Sequence, residues 1–209
     1  AAGYTGEGVI VAVIDTGIDE SHPEFAGRLL PGVTVLYPYV YFFGAPPIDD
    51  HGTLVAGVIA AAKDNGLGIA GVAPGARIFP IRVFHRVESG EIRARVVDVA
   101  VGILVAAAPE AFGLTHGRAD VVNLSLGIDG YVQVVTEAVE FALRQGVVVV
   151  TSAGNTGHDE PVRSPATIPG VLAVAATDAY DRVASFSNAA DFISVAAPGV
   201  MIWTTDIGG

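Results

Sequence analysis

The sequence has no cysteine and few charged residues for its length. Its 209 residues include one lysine, one methionine and one tryptophan, and only 16% are charged. Without cysteine the chain has no disulfide, no thiolate nucleophile and no cysteine-bound metal. Acidic residues outnumber basic ones 22 to 11, which gives a net charge of −11. We therefore expect no nucleic-acid partner, because nucleic acid binds to clustered lysine and arginine.

Long hydrophobic runs are also absent. Although 51% of the residues are hydrophobic, runs such as Val147–Val150 have the length of a strand and are far shorter than a membrane-spanning helix. We expect no membrane partner. The high apolar fraction excludes a disordered chain, and the length suits one large domain. We predict a single domain over residues 1–209.

Buried strands alternate with helices along the chain. Runs of β-branched residues predict strands buried on both faces at Gly8–Asp15 and Val147–Ser152. Further strands are predicted at Val33–Phe43 (one strand or two), Arg77–Val83, Asp120–Leu126, Gly170–Thr177, Asp191–Ala197 and Met201–Thr205. Apolar spacing predicts helices at Leu54–Ala62, at Arg93–Ala108, and through Val132, Val135, Val139 and Ala142 up to Gly146. This alternation predicts an α/β fold, with a doubly wound, mostly parallel β-sheet flanked by helices.

Three polar residues adjoin these buried elements. Asp15 ends the first strand, His51 heads a helix of small apolar residues, and Asn155 follows the strand ending at Ser152. A buried carboxylate needs a partner, and an Asp that holds a His fixes its tautomer for proton transfer. An amide after a strand can donate to a developing oxyanion.

Each of these residues, taken alone, has a plainer interpretation. His51 would be a capping or core histidine, and Asn155 would form an ordinary Asx turn. Their occurrence together favours the chemical interpretation.

Several sequence blocks support a specific resemblance. They are Asp15-Thr16-Gly17, His51-Gly52-Thr53 through Gly57, Gly71-Val72-Ala73-Pro74, Asn123 through Gly127, Ser152-Ala153-Gly154-Asn155, Ser185-Phe186-Ser187-Asn188 and Ala197-Pro198-Gly199. In this order they resemble the signature blocks of the subtilisin-like serine proteases, from Tyr4 to the end of the chain. The resemblance implies a three-layer α/β/α fold.

The resemblance also implies roles for individual residues. Asp15 would orient His51, His51 would act as general base and then general acid, and Asn155 would line the oxyanion hole. Substrate would lie extended between two edges of the protein. One edge would be formed by Ser125, Leu126 and Gly127, and the opposite edge by Ser89 and Gly90. Gly154 would form part of the floor of the specificity pocket. The alternative for the stretch from Ser125 to Gly127 is an ordinary strand end.

The nucleophile of the family is missing from this sequence. The family carries its serine in a Gly-Thr-Ser-Met-Ala-type block, whereas the chain stops at Gly209. We therefore expect a subtilase-like catalytic domain cut at both ends and inactive as given. One hypothesis is a fragment of an active serine endopeptidase, in which a pro-segment or complementing chain is a further partner. The other is a non-catalytic domain that binds peptides or a protein partner.

The expectations about a cofactor and about the cellular location of the protein rest on the resemblance alone. The chemistry requires no cofactor. Many relatives bind structural calcium where Glu24 and Asn65 stand here, and oxygen ligands suit this ion. The alternative is a glycine-rich turn, and we expect weak calcium binding or none. Family habit favours secretion over the cytoplasm.

Overall fold

An eight-stranded sheet forms the centre of the molecule. The computed structural model describes residues 3–157 and 163–209. The strands are β1 (Ile10–Asp15), β2 (Val33–Leu36), β3 (Tyr39–Tyr41), β4 (Arg77–Arg82), β5 (Phe84–Arg86), β6 (Ile92–Ala94), β7 (Val121–Leu124), β8 (Ile128–Asp129), β9 (Val148–Ser152), β10 (Arg163–Ser164), β11 (Leu172–Thr177) and β12 (Val195–Pro198). The helices are α1 (His51–Ala60), α2 (Val96–Ala107) and α3 (Gln133–Arg144).

The strand order is β12-β11-β9-β7-β1-β4-β2-β3, and every neighbouring pair is parallel except β2 with β3. Strands β5 and β6 form a separate antiparallel hairpin, and β8 pairs with β10. The predicted doubly wound, mostly parallel sheet is confirmed. All six residues of β1 are buried, as its position at the centre of the sheet requires.

Helices cover both faces of the sheet. On one face α2 and α3 pack together over a core that includes Ile14, Phe79 and Leu124. On the other face α1 packs over Val11, Val13 and Ile78. This arrangement is the predicted three-layer α/β/α architecture. No helix in the described ranges is both long and apolar enough to span a bilayer.

The face that carries α1 is open over β9, β11 and β12. There Val148, Leu172 and Val195 are 43%, 42% and 52% exposed, whereas the alternate residues of β9 and β11 are buried against the other face. An apolar surface of this kind is typical of a face that another segment or chain covers.

Four element predictions differ from the structure. The helix predicted at Leu54–Ala62 spans His51–Ala60. Residues Met201–Thr205 are not a strand, because the hydroxyls of Thr204 and Thr205 bond to α1. The helix predicted from Arg93 begins at Val96, since the preceding residues complete the β5–β6 hairpin and Arg95 has extended backbone angles. The strand predicted from Asp191 begins only at Val195.

Candidate active site

Asp15 and His51 form a hydrogen-bonded pair at the carboxyl end of β1. Oδ1 of Asp15 lies 2.8 Å from Nδ1 of His51 and also accepts the backbone N–H of Thr16 at 2.7 Å. The Asp15 side chain is 2% exposed, whereas that of His51 is 48% exposed. A buried carboxylate therefore holds one nitrogen of an imidazole whose ring reaches solvent. This geometry fixes the tautomer that a general base needs.

The first turn of α1 approaches β1 closely because Gly52 has no side chain. A Cβ at Gly52 would overlap the carbonyl oxygen of Gly17 and stand 3.3 Å from Cβ of Asp15. The hydroxyl of Thr16 accepts the N–H of Gly52 at 3.0 Å, and Oδ1 of Asp49 accepts the N–H of His51 at 3.1 Å. These two bonds satisfy N–H groups that a helix leaves free at its start.

The pKa of His51 is raised above its ordinary value. The hydrogen bond with Asp15 is the largest cause, and it outweighs the opposing effect of burial; the negative charges of Asp15, Asp49 and Asp50 add to the shift. Asp15 therefore stabilises the imidazolium, which is the form that a general base adopts after taking a proton.

The sheet register brings Asn155 to the same edge as Asp15. Val13 pairs with Asn123, and Asn123 pairs with Val150, so β1, β7 and β9 end side by side. Asn155 is exposed, and it lines a hollow of about 360 Å³ together with Ser125 and Gly154. Val58 of α1 also lines the hollow, so the hollow borders the helix that carries His51.

Asn188 braces the turn that presents Asn155. Its side-chain oxygen accepts the N–H and the hydroxyl of Thr156 at 2.9 and 3.0 Å, and its N–H donates to the carbonyl of Gly154 at 3.1 Å. Gly154 has a φ of +107°, and a Cβ there would lie 2.8 Å from Nδ2 of Asn188. Asn188 is the last residue of the family block Ser185 to Asn188, and the sequence alone predicts no role for it. The contact of the Asn188 side chain with Thr156 is visible only in the folded chain, because the two residues are 32 positions apart.

The two stretches predicted as substrate edges are a strand end and a hairpin turn. Residues 125–127 lie between β7 and β8, and Ser89 and Gly90 lie in the turn of the β5–β6 hairpin. Arg86 donates to the carbonyls of Gly90 and Ile48 at 2.8 and 3.1 Å. This guanidinium, which the sequence analysis did not single out, ties the hairpin to the loop that precedes His51.

No serine hydroxyl bonds to His51 in residues 3–157 and 163–209. Those ranges contain all eight serines, and the hydroxyls of most of them bond elsewhere, for example Ser125 with Asn123 and Ser187 with the N–H of Ala176. The structure therefore places Asp15 and His51 together and Asn155 at the same edge, without a serine nucleophile paired to the imidazole.

Glu24 and Asn65 lie together, but they fit calcium poorly. Glu24 is 2% exposed, and its Oε2 accepts a hydrogen bond from Nδ2 of Asn65 at 2.9 Å. Its Oε1 is buried and has no partner in the described part of the chain. The guanidinium of Arg28 donates to the main-chain carbonyls of Glu24, Ala60 and Pro74, and its positive charge interacts electrostatically with the Glu24 carboxylate. The described residues include no group of three or more His, Cys, Asp or Glu side chains suited to a metal.

Comparison with known proteins identifies the family. The model of the subtilase family, Peptidase_S8, matches residues 6–207. This chain belongs to the subtilase family. It is 41% identical over 199 residues to the thermophilic serine proteinase of Bacillus sp. (strain AK1), covering 95% of this chain and 45% of that protein. It is 35% identical over 205 residues to the minor extracellular protease Epr of Bacillus subtilis (strain 168), covering 98% of this chain and 29% of Epr.

Fervidolysin from Fervidobacterium pennivorans is similar in both sequence and structure. The sequences are 43% identical over 208 residues, which cover 96% of this chain and 28% of fervidolysin. The crystal structure of fervidolysin, described as a keratinolytic enzyme related to subtilisin, superposes with a TM-score of 0.80 over 97% of this chain and 30% of that one. The chain thus spans less than half the length of each of these three relatives.

Proposed function

We propose that this chain is the part of a serine endopeptidase that supplies the acid, the base and the oxyanion donor for peptide-bond hydrolysis. The observation that carries the proposal is the 2.8 Å contact between buried Asp15 and half-exposed His51. In a subtilase, this pair is what activates a serine hydroxyl.

The proposed chemistry begins with proton transfer to the free ring nitrogen of His51, Nε2. The serine oxygen attacks the carbonyl carbon of the scissile peptide, and Asn155 donates its side-chain N–H to the resulting oxyanion. His51 then gives the proton to the leaving amine, which departs and leaves an acyl-enzyme. Water, deprotonated by His51 in turn, hydrolyses that ester. Asp15 stays ionised and stabilises the imidazolium in both steps.

We place the nucleophile in a part of the protein outside these 209 residues, either later in the same polypeptide or in a complementing chain. Two observations support this placement. Each of these relatives is more than twice as long as the segment that it shares with this chain, and among the described residues the apolar face over β9, β11 and β12 is exposed.

The substrate in this proposal is a polypeptide bound as an extended strand. It pairs by backbone hydrogen bonds with residues 125–127 on one side and with Ser89 and Gly90 on the other. The part of the hollow beside Ser125 and Gly154 receives one side chain of the peptide, whereas the part lined by Val150, Val174 and Ala197 belongs to the open face of the sheet. Secretion is part of the same proposal, supported by the extracellular protease Epr among the relatives.

Calcium takes no part in the proposed chemistry. The side chains of Glu24 and Asn65 bond to each other, and the charge of Arg28 interacts with that of Glu24, whereas calcium needs six to eight oxygen ligands. We propose that calcium binds here weakly or not at all.

A serine-directed fluorophosphonate probe tests the proposal on the complete protein. We expect labelling of one serine outside residues 1–209, and its loss in the His51→Ala variant, because the probe reacts only with an activated hydroxyl. Peptide mapping locates the label. A complete protein that binds peptides but carries no label contradicts the proposal and supports the non-catalytic binding domain instead.

A further inference from the structure

We propose that Thr204 and Thr205 are positioning residues that hold the first turns of α1, and with them the imidazole of His51, in register with Asp15. This inference rests on the proposed function, because it concerns how the general base is held.

Both threonines donate their hydroxyls to main-chain carbonyls near the start of α1. Oγ1 of Thr204 lies 2.6 Å from the carbonyl oxygen of Leu54, and Oγ1 of Thr205 lies 2.8 Å from that of Thr53. Thr205 is 5% exposed. These carbonyls already accept helical N–H groups, so the hydroxyls use their second lone pairs. The bonds therefore fix α1 without competing with its own hydrogen bonds.

The helix needs such bonds because the face that it buries is nearly smooth. Its fully buried residues are Gly52, Thr53, Ala56, Gly57 and Ala60, while Val55 and Ile59 at the margins are half-buried and pack against the core. Helices normally interlock through ridges of side chains, and glycine and alanine provide almost none. The fully buried face therefore resists sliding or rotation of α1 less than interlocked ridges would, and directional hydrogen bonds add to what fixes its register.

Gly57 makes the approach of the threonines possible. A Cβ at this position would lie 2.6 Å from Oγ1 of Thr204 and 2.9 Å from Cγ2 of Thr205, and closer still to Oγ1 of Thr205. The segment 204–205 thus packs directly against the helix backbone.

A second set of hydrogen bonds connects Thr53 of α1 to the turn after β1 and to residue 208. The hydroxyl of Thr53 accepts the N–H of Asp19 at 3.0 Å, and Oδ2 of Asp19 accepts the N–H of Gly208 at 3.0 Å. Thr53 is therefore bonded both to Thr205 and to Asp19 in the turn after β1, and Gly208 links these two segments. His51 and Thr53 lie in the same first turn of α1. A movement of that helical turn therefore changes the distance between Asp15 and His51.

The main test compares Thr205→Val with Thr205→Ser in the complete protein. Valine keeps the shape of threonine and removes the hydroxyl, whereas serine restores it. We expect Thr205→Val to lower kcat on a short peptide about tenfold or more, since misplacement of a catalytic group by 1 Å can cost about a hundredfold. KM should change by less than about twofold, and Thr205→Ser should recover kcat to within about threefold.

Thr136→Val is the matched control. Thr136 is also buried and donates its hydroxyl to a helical carbonyl, that of Val132, but it lies in α3. Both valine variants should lower the melting temperature by similar amounts. Only Thr205→Val should lower kcat.

An NMR pH titration of the His51 ring separates this inference from the proposed function. Loss of the Thr205 hydroxyl should weaken the Asp15–His51 bond and lower the pKa of His51, whereas Thr136→Val should leave it unchanged. A wild-type protein that hydrolyses no peptide refutes the proposed function, and the titration still decides the positioning role. Equal kcat and equal His51 titration in the two valine variants would overturn the inference.

Discussion

Replacement of Gly57 by alanine should destabilise the protein, although alanine is the better helix former. The new Cβ would stand 2.6 Å from Oγ1 of Thr204, whereas ordinary van der Waals contact begins near 3.4 Å. Either α1 or the segment 204–205 must therefore retreat by about 1 Å. That displacement stretches the 2.6 Å bond from Thr204 to Leu54 beyond hydrogen-bonding distance.

The magnitude follows from three contributions. Loss of both threonine hydrogen bonds costs about 1 kcal/mol each, and residual overpacking costs about 1 kcal/mol or more. The greater helix propensity of alanine returns about 1 kcal/mol. We therefore expect Gly57→Ala to lower the free energy of unfolding by about 2 kcal/mol, which corresponds to a fall in melting temperature of about 4–8 °C for a domain of this size.

Urea denaturation of the complete protein measures this change, and a mutant cycle tests its cause. In a background that carries both Thr204→Ala and Thr205→Ala, the steric conflict is absent. Gly57→Ala should there be neutral or stabilising by up to about 1 kcal/mol. If Gly57→Ala destabilises the protein equally in both backgrounds, or stabilises the wild type, the packing of residues 204–205 against α1 is not what excludes a side chain at position 57.

Three further predictions concern charged groups. Asp15→Asn should lower the pKa of His51 and move the acidic limb of the kcat/KM–pH profile to lower pH, with a much smaller kcat, because the base works in its neutral form and loses its orienting charge. Arg95→Ala should cost about 2 kcal/mol in urea denaturation, because it removes both hydrogen bonds that the guanidinium makes to the fully buried carboxylate of Asp98. About 5 mM calcium should raise the melting temperature by less than about 2 °C relative to EDTA, as a weak ligand does, and Glu24→Gln should remove any rise.

Each of these predictions has a contrasting result. An acidic limb unchanged in Asp15→Asn would show that His51 is not the titrating base. Arg93→Ala is the control for Arg95, because Arg93 pairs with Glu91 at the exposed surface and should cost less than about 0.5 kcal/mol. Equal losses in the two arginine variants would refute the role of burial. A calcium-dependent rise above about 4 °C that disappears in Glu24→Gln would establish a calcium site.

The stability of the Asp15–His51 pair also depends on pH. Because the pKa of His51 is raised in the folded state, the pair contributes stability that is complete below the ordinary histidine pKa of about 6.5. That stability disappears as the pH rises through the higher folded value. The contribution is small, since the imidazole is half-exposed and screened by water.

The layer architecture was predictable because it follows from local pattern. Continuous β-branched runs such as that of β1 are typical of central strands, and the positions of Asp15 and Asn155 after such strands predict one shared edge. Residues 201–205 have the composition of a strand, yet their hydroxyls bond to α1. Residues 204 and 205 can pack against α1 only because position 57, about 150 residues earlier, is a glycine. The local sequence of residues 201–205 does not contain this information.

The same contrast explains which residues of the site the sequence could identify. Asp15 and His51 are recognisable because their chemistry requires those side chains and no others. The groups that place them, such as Thr16 with Gly52, Asn188 with Gly154, and Thr205 with Thr53, act mostly through main-chain atoms of their partners. Every residue except proline has the same backbone N–H and carbonyl, so a contact to these groups does not require a particular residue type in the partner. The partner's sequence shows such a contact only where a glycine is needed to make room. The glycines at positions 52, 57 and 154 are therefore local signs that another part of the chain must come close.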